Sequence, residues 1–359
     1  MKITAMIMAG GRGERFWPKS RRSMPKQFLC LSDDGKTMIQ LTLERISTLV
    51  APEDTFIVTN QEYKKLAMEQ LPEVPEENFL CEPVGRNTAP CIGLGAEHIR
   101  KKYGDALIVT LPSDHLIKYN AMFVNVLRDA CEVAEENNNL VTIGITPNYP
   151  ETGYGYVKFN SAERHDKNDA AFKVEKFEEK PNFEKAREYV ESEQYLWNSG
   201  MFVWKASTIL SEINKYLPEM SKSLDVIYDS IGTEDYRHTL EAQFNAMKSE
   251  SIDYGVLEKA ENIFILPGSF GWDDVGSWLS VGRIKRSNDA GNVVSGNAIT
   301  INTKNSIIEC QDRLVAVVGV HDLIVVDTPD ATLICRKDSA ADIKKVVENL
   351  RDSNRTEYI

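Results

Sequence analysis

Lys2-Ile3-Thr4-Ala5-Met6-Ile7-Met8-Ala9-Gly10-Gly11-Arg12-Gly13 opens the chain. A short apolar run that stops at two glycines reads as a buried strand followed by a tight loop. Similar runs recur at 55–59, 106–111 and 140–145, with helical patterns near 38–50, 61–70, 87–102 and 121–138 between them. Strands that alternate with helices predict a mostly parallel α/β sheet. Ligands of such sheets sit beyond the carboxyl ends of the strands, so the loops there are the first candidates for a site.

The loop after the first run carries an unusual charge. Between Arg12 and Lys26 stand six basic residues (Arg12, Arg15, Lys19, Arg21, Arg22, Lys26) against one acid, Glu14, in a chain of net charge −12. Glycines let backbone N–H groups approach a polyphosphate, and the basic side chains neutralise it. Two common phosphate motifs fail here. The dinucleotide fingerprint would need glycine where Phe16 stands, and a Walker A would need it at Pro18, which has no backbone donor.

Outward from this core the texture changes twice. Residues 150–205 show Gly-, Tyr- and Phe-rich alternation, which predicts antiparallel strands beside the parallel core, and 206–250 read as polar helices. Past Gly291 short β-type runs follow at 297–301, 306–310, 314–318, 323–327 and 332–335, with a final helix at 339–351. They predict a small β-rich unit, either a β-helix-like stack or a meander. The expected division is 1–288 for the catalytic domain and 289–359 for a β-rich domain ending in a helix.

Composition narrows the class. The chain has 359 residues, 42% of them hydrophobic and 27% charged, which is ordinary for a globular protein. The acidic balance argues against nucleic-acid or anionic-membrane partners. No apolar run is long enough to span a membrane, and the N-terminus lacks the form of a signal peptide. The six cysteines fit no zinc spacing and read as reduced thiols, so a cytoplasmic location is expected.

Further motifs stand in order along the chain. They are Gly10–Ser20 with Pro25-Lys26-Gln27-Phe28, Glu82-Pro83-Val84-Gly85-Arg86-Asn87-Thr88-Ala89-Pro90 and Pro112-Ser113-Asp114-His115. Glu151-Thr152-Gly153-Tyr154-Gly155-Tyr156, Glu179-Lys180-Pro181 and Trp197-Asn198-Ser199-Gly200-Met201-Phe202 follow, then Ser251-Ile252-Asp253-Tyr254 and Trp272-Asp273-Asp274-Val275-Gly276-Ser277-Trp278. The set resembles the sugar-1-phosphate nucleotidyltransferases, and PKQF, RNTAP and WDDVGSW are similar to their mannose-1-phosphate guanylyltransferase branch. The resemblance implies a Rossmann-like mixed sheet of glycosyltransferase-A type, followed by a left-handed β-helix-like domain. It implies the conversion of GTP and mannose 1-phosphate to GDP-mannose and pyrophosphate, with Mg²⁺ as cofactor and a homodimer as the assembly.

The same resemblance distributes roles. Gly10, Gly11, Arg12 and Gly13 would cradle the triphosphate, with Ser113 nearby, while Arg15 and Lys26 would neutralise it and the leaving pyrophosphate. Asp114 and Asp274 would hold metal; Asp273 competes with Asp274 for that role. Lys180 would meet the sugar phosphate, and Glu179, Asn198, Gly153 and Gly155 the sugar. Glu82 could accept from guanine N1–H and its exocyclic amine, a donor pair that an adenine edge lacks. Asn87 stands with the nucleotide set or, like Arg86, as a loop support or helix cap. His115 either orients Asp114 or packs. The attacking phosphate oxygen is already ionised, so no general base is required.

Three alternatives remain open. One is a relative with another base or sugar, such as a uridylyl- or thymidylyltransferase. Another is a non-catalytic GDP-mannose-binding regulator, which would be expected to lose the loop arginine, Lys26 or the Asp pair. The third is a bifunctional enzyme with an isomerase domain, for which a chain ending at Ile359 leaves little room.

Overall fold

The computed structural model describes residues 1–359. The chain forms two compact units: Met1–Gly10, Leu43–Ser113 and Ile117–Trp272 make the first, and Gly11–Thr42, Asp114–Leu116 and Asp273–Ile359 the second.

The first unit is built on a nine-stranded sheet. Its strands are β1 (Ile3–Ala9), β2 (Thr55–Asn60), β3 (Phe79–Glu82), β4 (Leu107–Pro112), β5 (Leu140–Ile145), β6 (Gly155–His165), β7 (Asn168–Glu179), β8 (Tyr195–Lys205) and β9 (Ile263–Gly268). The order across the sheet is β3-β2-β1-β4-β8-β5-β9-β7-β6. β1 pairs in parallel with β2 and β4, β2 with β3, and β5 with β9. Helix α1 (Thr88–Tyr103) follows β3, α2 (Asn120–Glu135) precedes β5, and α3 (Ala206–Tyr216) follows β8. These crossovers cover the faces, which is why β2, β4 and β5 are buried along nearly their whole length rather than at alternate positions.

The antiparallel strands differ from the sequence expectation in place. β8 does not lie beside the parallel core but inside it, antiparallel to β4 on one side and β5 on the other. The reason lies in its composition. Leu196, Trp197, Met201, Phe202, Val203 and Trp204 are all buried, and a strand apolar on both faces belongs in the middle of a sheet. The β6–β7 hairpin takes the edge. Phe202 and Trp204 stack with ring centroids 5.1 Å apart inside the cluster under α1 and α3.

In the second unit the tail is a stack of parallel ladders, not a meander. α4 (Trp278–Ile284) precedes β10 (Val293–Ser295), β11 (Ala298–Ile301), β12 (Ile307–Glu309), β13 (Val315–Val318), β14 (Leu323–Asp327) and β15 (Thr332–Arg336). β10, β12 and β14 pair in parallel with Val293, Ile307 and Ile324 in register, and β11 pairs with β13. β15 turns back antiparallel on β14, and α5 (Ile343–Asp352) follows. Phe16 and Trp17 of the Gly-rich loop belong to this unit's core, with Trp278, Val293, Ile307, Ile324, Ile343 and Val347. The loop is therefore seated on the β-stack.

No helix is long and apolar enough to cross a membrane, and all six cysteines are free thiols.

Candidate active site

The second unit holds a cavity of about 480 Å³ lined by Arg12, Gly13, Arg15, Lys26, Asp114 and Asp274, with Glu14, Phe16, His115, Gly276 and Lys344 completing its wall. Lys26 organises it. Its side chain is buried, and Nζ donates to Asp114 Oδ2 at 2.8 Å and to the Asp274 carbonyl at 2.7 Å. Desolvation opposes the charge on Asp114, but the Lys26 ammonium, His115 and the Lys26 hydrogen bond hold its carboxyl below the usual range. The His115 ring nitrogen is 3.9 Å from Asp114 Oδ1, too far for a hydrogen bond.

Asp273 and Asp274 separate cleanly. Asp273 accepts from both Arg283 Nε and Nη2, at 2.6 and 3.1 Å, and from the Val275 N–H at 2.8 Å. Asp274 lines the cavity and accepts from the Gly276 N–H at 3.1 Å. Val275 between them has φ +48°, a conformation that costs a β-branched residue about 1–3 kcal/mol and collects at functional turns. Two carboxylates in one cavity fit Mg²⁺, which takes few protein ligands and completes its octahedron with phosphate and water.

Not every basic residue of the loop faces the cavity. Lys19 is paired with Glu309 at 2.6 Å and Arg21 with Asp330 at 2.9 Å, both within the β-stack. Lys19 and Arg21 anchor the loop, and Arg12, Arg15 and Lys26 supply the cavity charge.

Two further clusters lie in the first unit. Glu82 ends β3 opposite Asn60 at the end of β2, and both flank Gly10. Asn60 Nδ2 donates to the Gly10 carbonyl at 3.2 Å, while Asn60 Oδ1 and Glu82 Oε1 are buried without a hydrogen-bond partner. Burial pushes the Glu82 carboxyl up to about 8. Two orphaned acceptors side by side call for a ligand with two donors.

The other cluster gathers Gly155, Glu179, Lys180 and Asn198. A Cβ at Gly155 would stand 2.4 Å from Glu179 Oε2 and 3.4 Å from Asn198 Cβ. Lys180 Nζ meets Glu179 Oε1 at 3.0 Å, from a backbone with φ +46°. Asn198 Nδ2 donates to Asp253 Oδ1 at 2.7 Å. Burial and the neighbouring Glu179 charge raise Asp253 to about 6. Trp197, Tyr154 and Trp272 pack edge to face around this cluster.

Asn87, Gly153, Gly11 and Ser113 are not among the residues that line the cavity. Asn87 Oδ1 accepts from the Thr88 N–H at 2.8 Å and caps α1, and Arg86 donates to the Phe244 and Asn245 carbonyls. The Gly153 N–H is taken by Glu151 Oε1 at 2.8 Å. Gly11 uses its carbonyl to hold Gln27 Nε2, and the Ser113 N–H donates to the Met8 carbonyl. Asn60, Asp253 and Lys344 received no role from the sequence. Asp253 had a motif around it, whereas nothing local marks Asn60 or Lys344.

A parallel α/β core, a Gly-rich basic loop after its first strand and a cavity holding cations beside two carboxylates define a handler of nucleotide phosphates. A family model described as nucleotidyl transferase matches residues 4–289, and one described as a MannoseP isomerase/GMP-like beta-helix domain matches 296–350. A mannose-1-phosphate guanylyltransferase of Salmonella montevideo is 42% identical, spanning 99% of this chain and 76% of that one. One from Escherichia coli (strain K12) is 39% identical, spanning 99% and 75%. A crystal structure described as a mannose-1-phosphate geranyltransferase from Thermus thermophilus is 34% identical with a TM-score of 0.87, covering 98% of this chain and 100% of that one. The chain belongs to the nucleotidyl transferase family, in its mannose-1-phosphate guanylyltransferase branch.

Proposed function

We propose that the protein joins GTP and mannose 1-phosphate to give GDP-mannose and pyrophosphate. A sugar-phosphate oxygen forms a bond to the α-phosphorus as the α–β bridging bond breaks and pyrophosphate leaves. Nucleophile and electrophile are both anionic, so positioning and charge neutralisation carry the catalysis. The observation that carries the reading is Lys26, buried and bonded to both Asp114 and the Asp274 backbone in a cavity that Arg12 and Arg15 also line.

In this reading Gly10, Gly11, Arg12 and Gly13 hold the triphosphate, with Ser113 near it. Arg15 and Lys26 offset its charge. Asp114 and Asp274 would hold Mg²⁺, which when bound neutralises and orients the phosphates. Glu82, with Asn60 beside it, meets the guanine donors. Glu179, Asn198 and Gly155 meet the sugar and Lys180 its phosphate. The catalytic domain is taken as 1–288 and the β-rich domain as 289–359, in a cytoplasmic homodimer without nucleic-acid partners.

The test incubates the purified protein with mannose 1-phosphate, Mg²⁺ and GTP, ATP, UTP or dTTP in turn, and measures pyrophosphate release. Release with GTP, lost without Mg²⁺ and in Asp114→Ala, supports the reading. Release with UTP or dTTP alone removes the base assignment and the role of Glu82 with it.

A further inference from the structure

α5 belongs to the β-rich tail, yet it reaches the cavity. Lys344, in its first turn, forms part of the cavity wall with Arg12, Arg15 and Lys26. The helix is fixed from several directions. Ile343 and Val347 are buried in one core with Phe16 and Trp17 of the Gly-rich loop. Arg351 Nη2 donates to Glu14 Oε1 at 2.8 Å, and Trp17 Nε1 donates to the Tyr358 carbonyl at 2.7 Å. The first turn of α5 is thus held in register with the loop by contacts at both ends of the helix.

Two acids of the same cavity wall are held by cations other than Lys344. Asp114 is bonded to Lys26 and Glu14 to Arg351. Lys344 itself lies 3.6 Å from Glu348 Oε1, too far for a hydrogen bond, and its side chain is 56% exposed. Its neighbour Lys345 points elsewhere and pairs with Asp342 at 2.7 Å. A flexible ammonium, only loosely held at the wall of a cationic cavity, suits a phosphate that arrives with substrate and departs with product.

We propose that Lys344 is a ligand for the β,γ-phosphates of the nucleotide and for the leaving pyrophosphate, supplied by the C-terminal helix, so that the β-rich domain furnishes part of the active site. The inference rests on the reading under Proposed function.

The full chain is compared with Lys344→Ala, Lys344→Arg and Lys345→Ala. Inorganic pyrophosphate with Mg²⁺ is titrated calorimetrically, and KM values are measured for GTP and mannose 1-phosphate. Lys344→Ala is expected to weaken pyrophosphate binding and raise KM for GTP five- to twentyfold, with KM for mannose 1-phosphate within twofold. Lys344→Arg restores both to within threefold, and Lys345→Ala changes neither by more than twofold. Pyrophosphate affinity unchanged in Lys344→Ala overturns the proposal, as does an equal loss in Lys345→Ala. A wild-type protein that binds pyrophosphate through Lys344 but does not turn GTP over would sink the proposed reaction and leave the phosphate site standing.

Discussion

Gly13 lies so close to Lys26 that a Cβ on it would stand 2.3 Å from Lys26 Cβ and 2.9 Å from the Lys26 backbone nitrogen. Gly13 also has φ +63°, in the left-handed region that glycine enters without penalty. The glycine lets the start of the loop lie flat against the segment that delivers the buried lysine. Gly13→Ala must push that segment away, and backbone does not yield cheaply. The expected result is at least a tenfold loss in kcat/KM, with a stability cost of about 1–3 kcal/mol seen in thermal melts. Wild-type rates in this variant would refute the link between the loop and Lys26.

Gly276 plays a different part. A Cβ there would lie 2.5 Å from Asp274 Oδ2, while its backbone is not in the left-handed region. Alanine is therefore tolerated by the chain and resisted only by the carboxylate, which must turn. Disturbing the groups that orient a metal-binding carboxylate typically costs about 10–100-fold in metal affinity. Gly276→Ala should raise the Mg²⁺ concentration for half-maximal rate by at least tenfold and leave the melting temperature within a degree or two. A large drop in melting temperature with an unchanged Mg²⁺ requirement would contradict the assignment of Asp274.

How much of this was legible in sequence depended on range. β1, the glycines and the basic run sit within a few residues of one another, so strand, loop and charge could be read together. The alternation of strands and helices gave the parallel core for the same reason. The placement of β8 in the middle of the sheet could not be read. Its pairing with β4 is a matter of Phe202 meeting Thr110, some ninety residues apart. The two fates of the loop's cations were equally hidden, because Lys19 and Arg21 are taken up by Glu309 and Asp330, near the other end of the chain. Asn60 shows no motif at all. Its meaning comes only from facing Glu82 across two strands with an acceptor left unpaired.

Glu309 carries the anchoring of the loop. Lys19 Nζ lies 2.6 Å from its Oε1 and Lys285 Nζ 3.0 Å from its Oε2, all three largely buried. Burial opposes its charge, but the Lys19 and Lys285 charges and hydrogen bonds lower its pKa below the ordinary value. A depressed carboxyl contributes stability that is present above the unfolded pKa and lost as pH falls through the folded one. Glu309→Gln leaves two buried ammonium groups without their counter-charge, although Lys285 keeps its bond to Ser295 Oγ, and breaking a buried ion pair typically costs about 3–5 kcal/mol. The melting temperature should fall by several degrees at pH 7. The difference from wild type should shrink as pH falls below about 4.5, where the unfolded chain's carboxyl takes up a proton, and should be gone once pH has passed below the depressed folded value. Identical melts at pH 7 would show that the triad contributes nothing.

Glu82 joins stability to base recognition. Its folded pKa of about 8 lies above the ordinary glutamate value, so the folded protein binds a proton that the unfolded chain has released. Stability at this site therefore falls as pH rises from about 4.5 to 8, by linkage. Glu82→Gln removes that cost and should stabilise the protein at pH 7 by on the order of 1–3 kcal/mol. Guanine reverses the balance. Its N1–H and amino group can be met by a carboxylate but not by a carboxyl that already carries its proton. GTP binding should then expel the proton, visible as heats that vary with buffer ionisation enthalpy. Below pH 8 the GTP dissociation constant should tighten as pH rises, by up to about tenfold per unit. Glu82→Gln should lose both the pH dependence and the preference for GTP while melting at a higher temperature. A variant that melts lower, or one that binds GTP as tightly as wild type, would remove Glu82 from the base site.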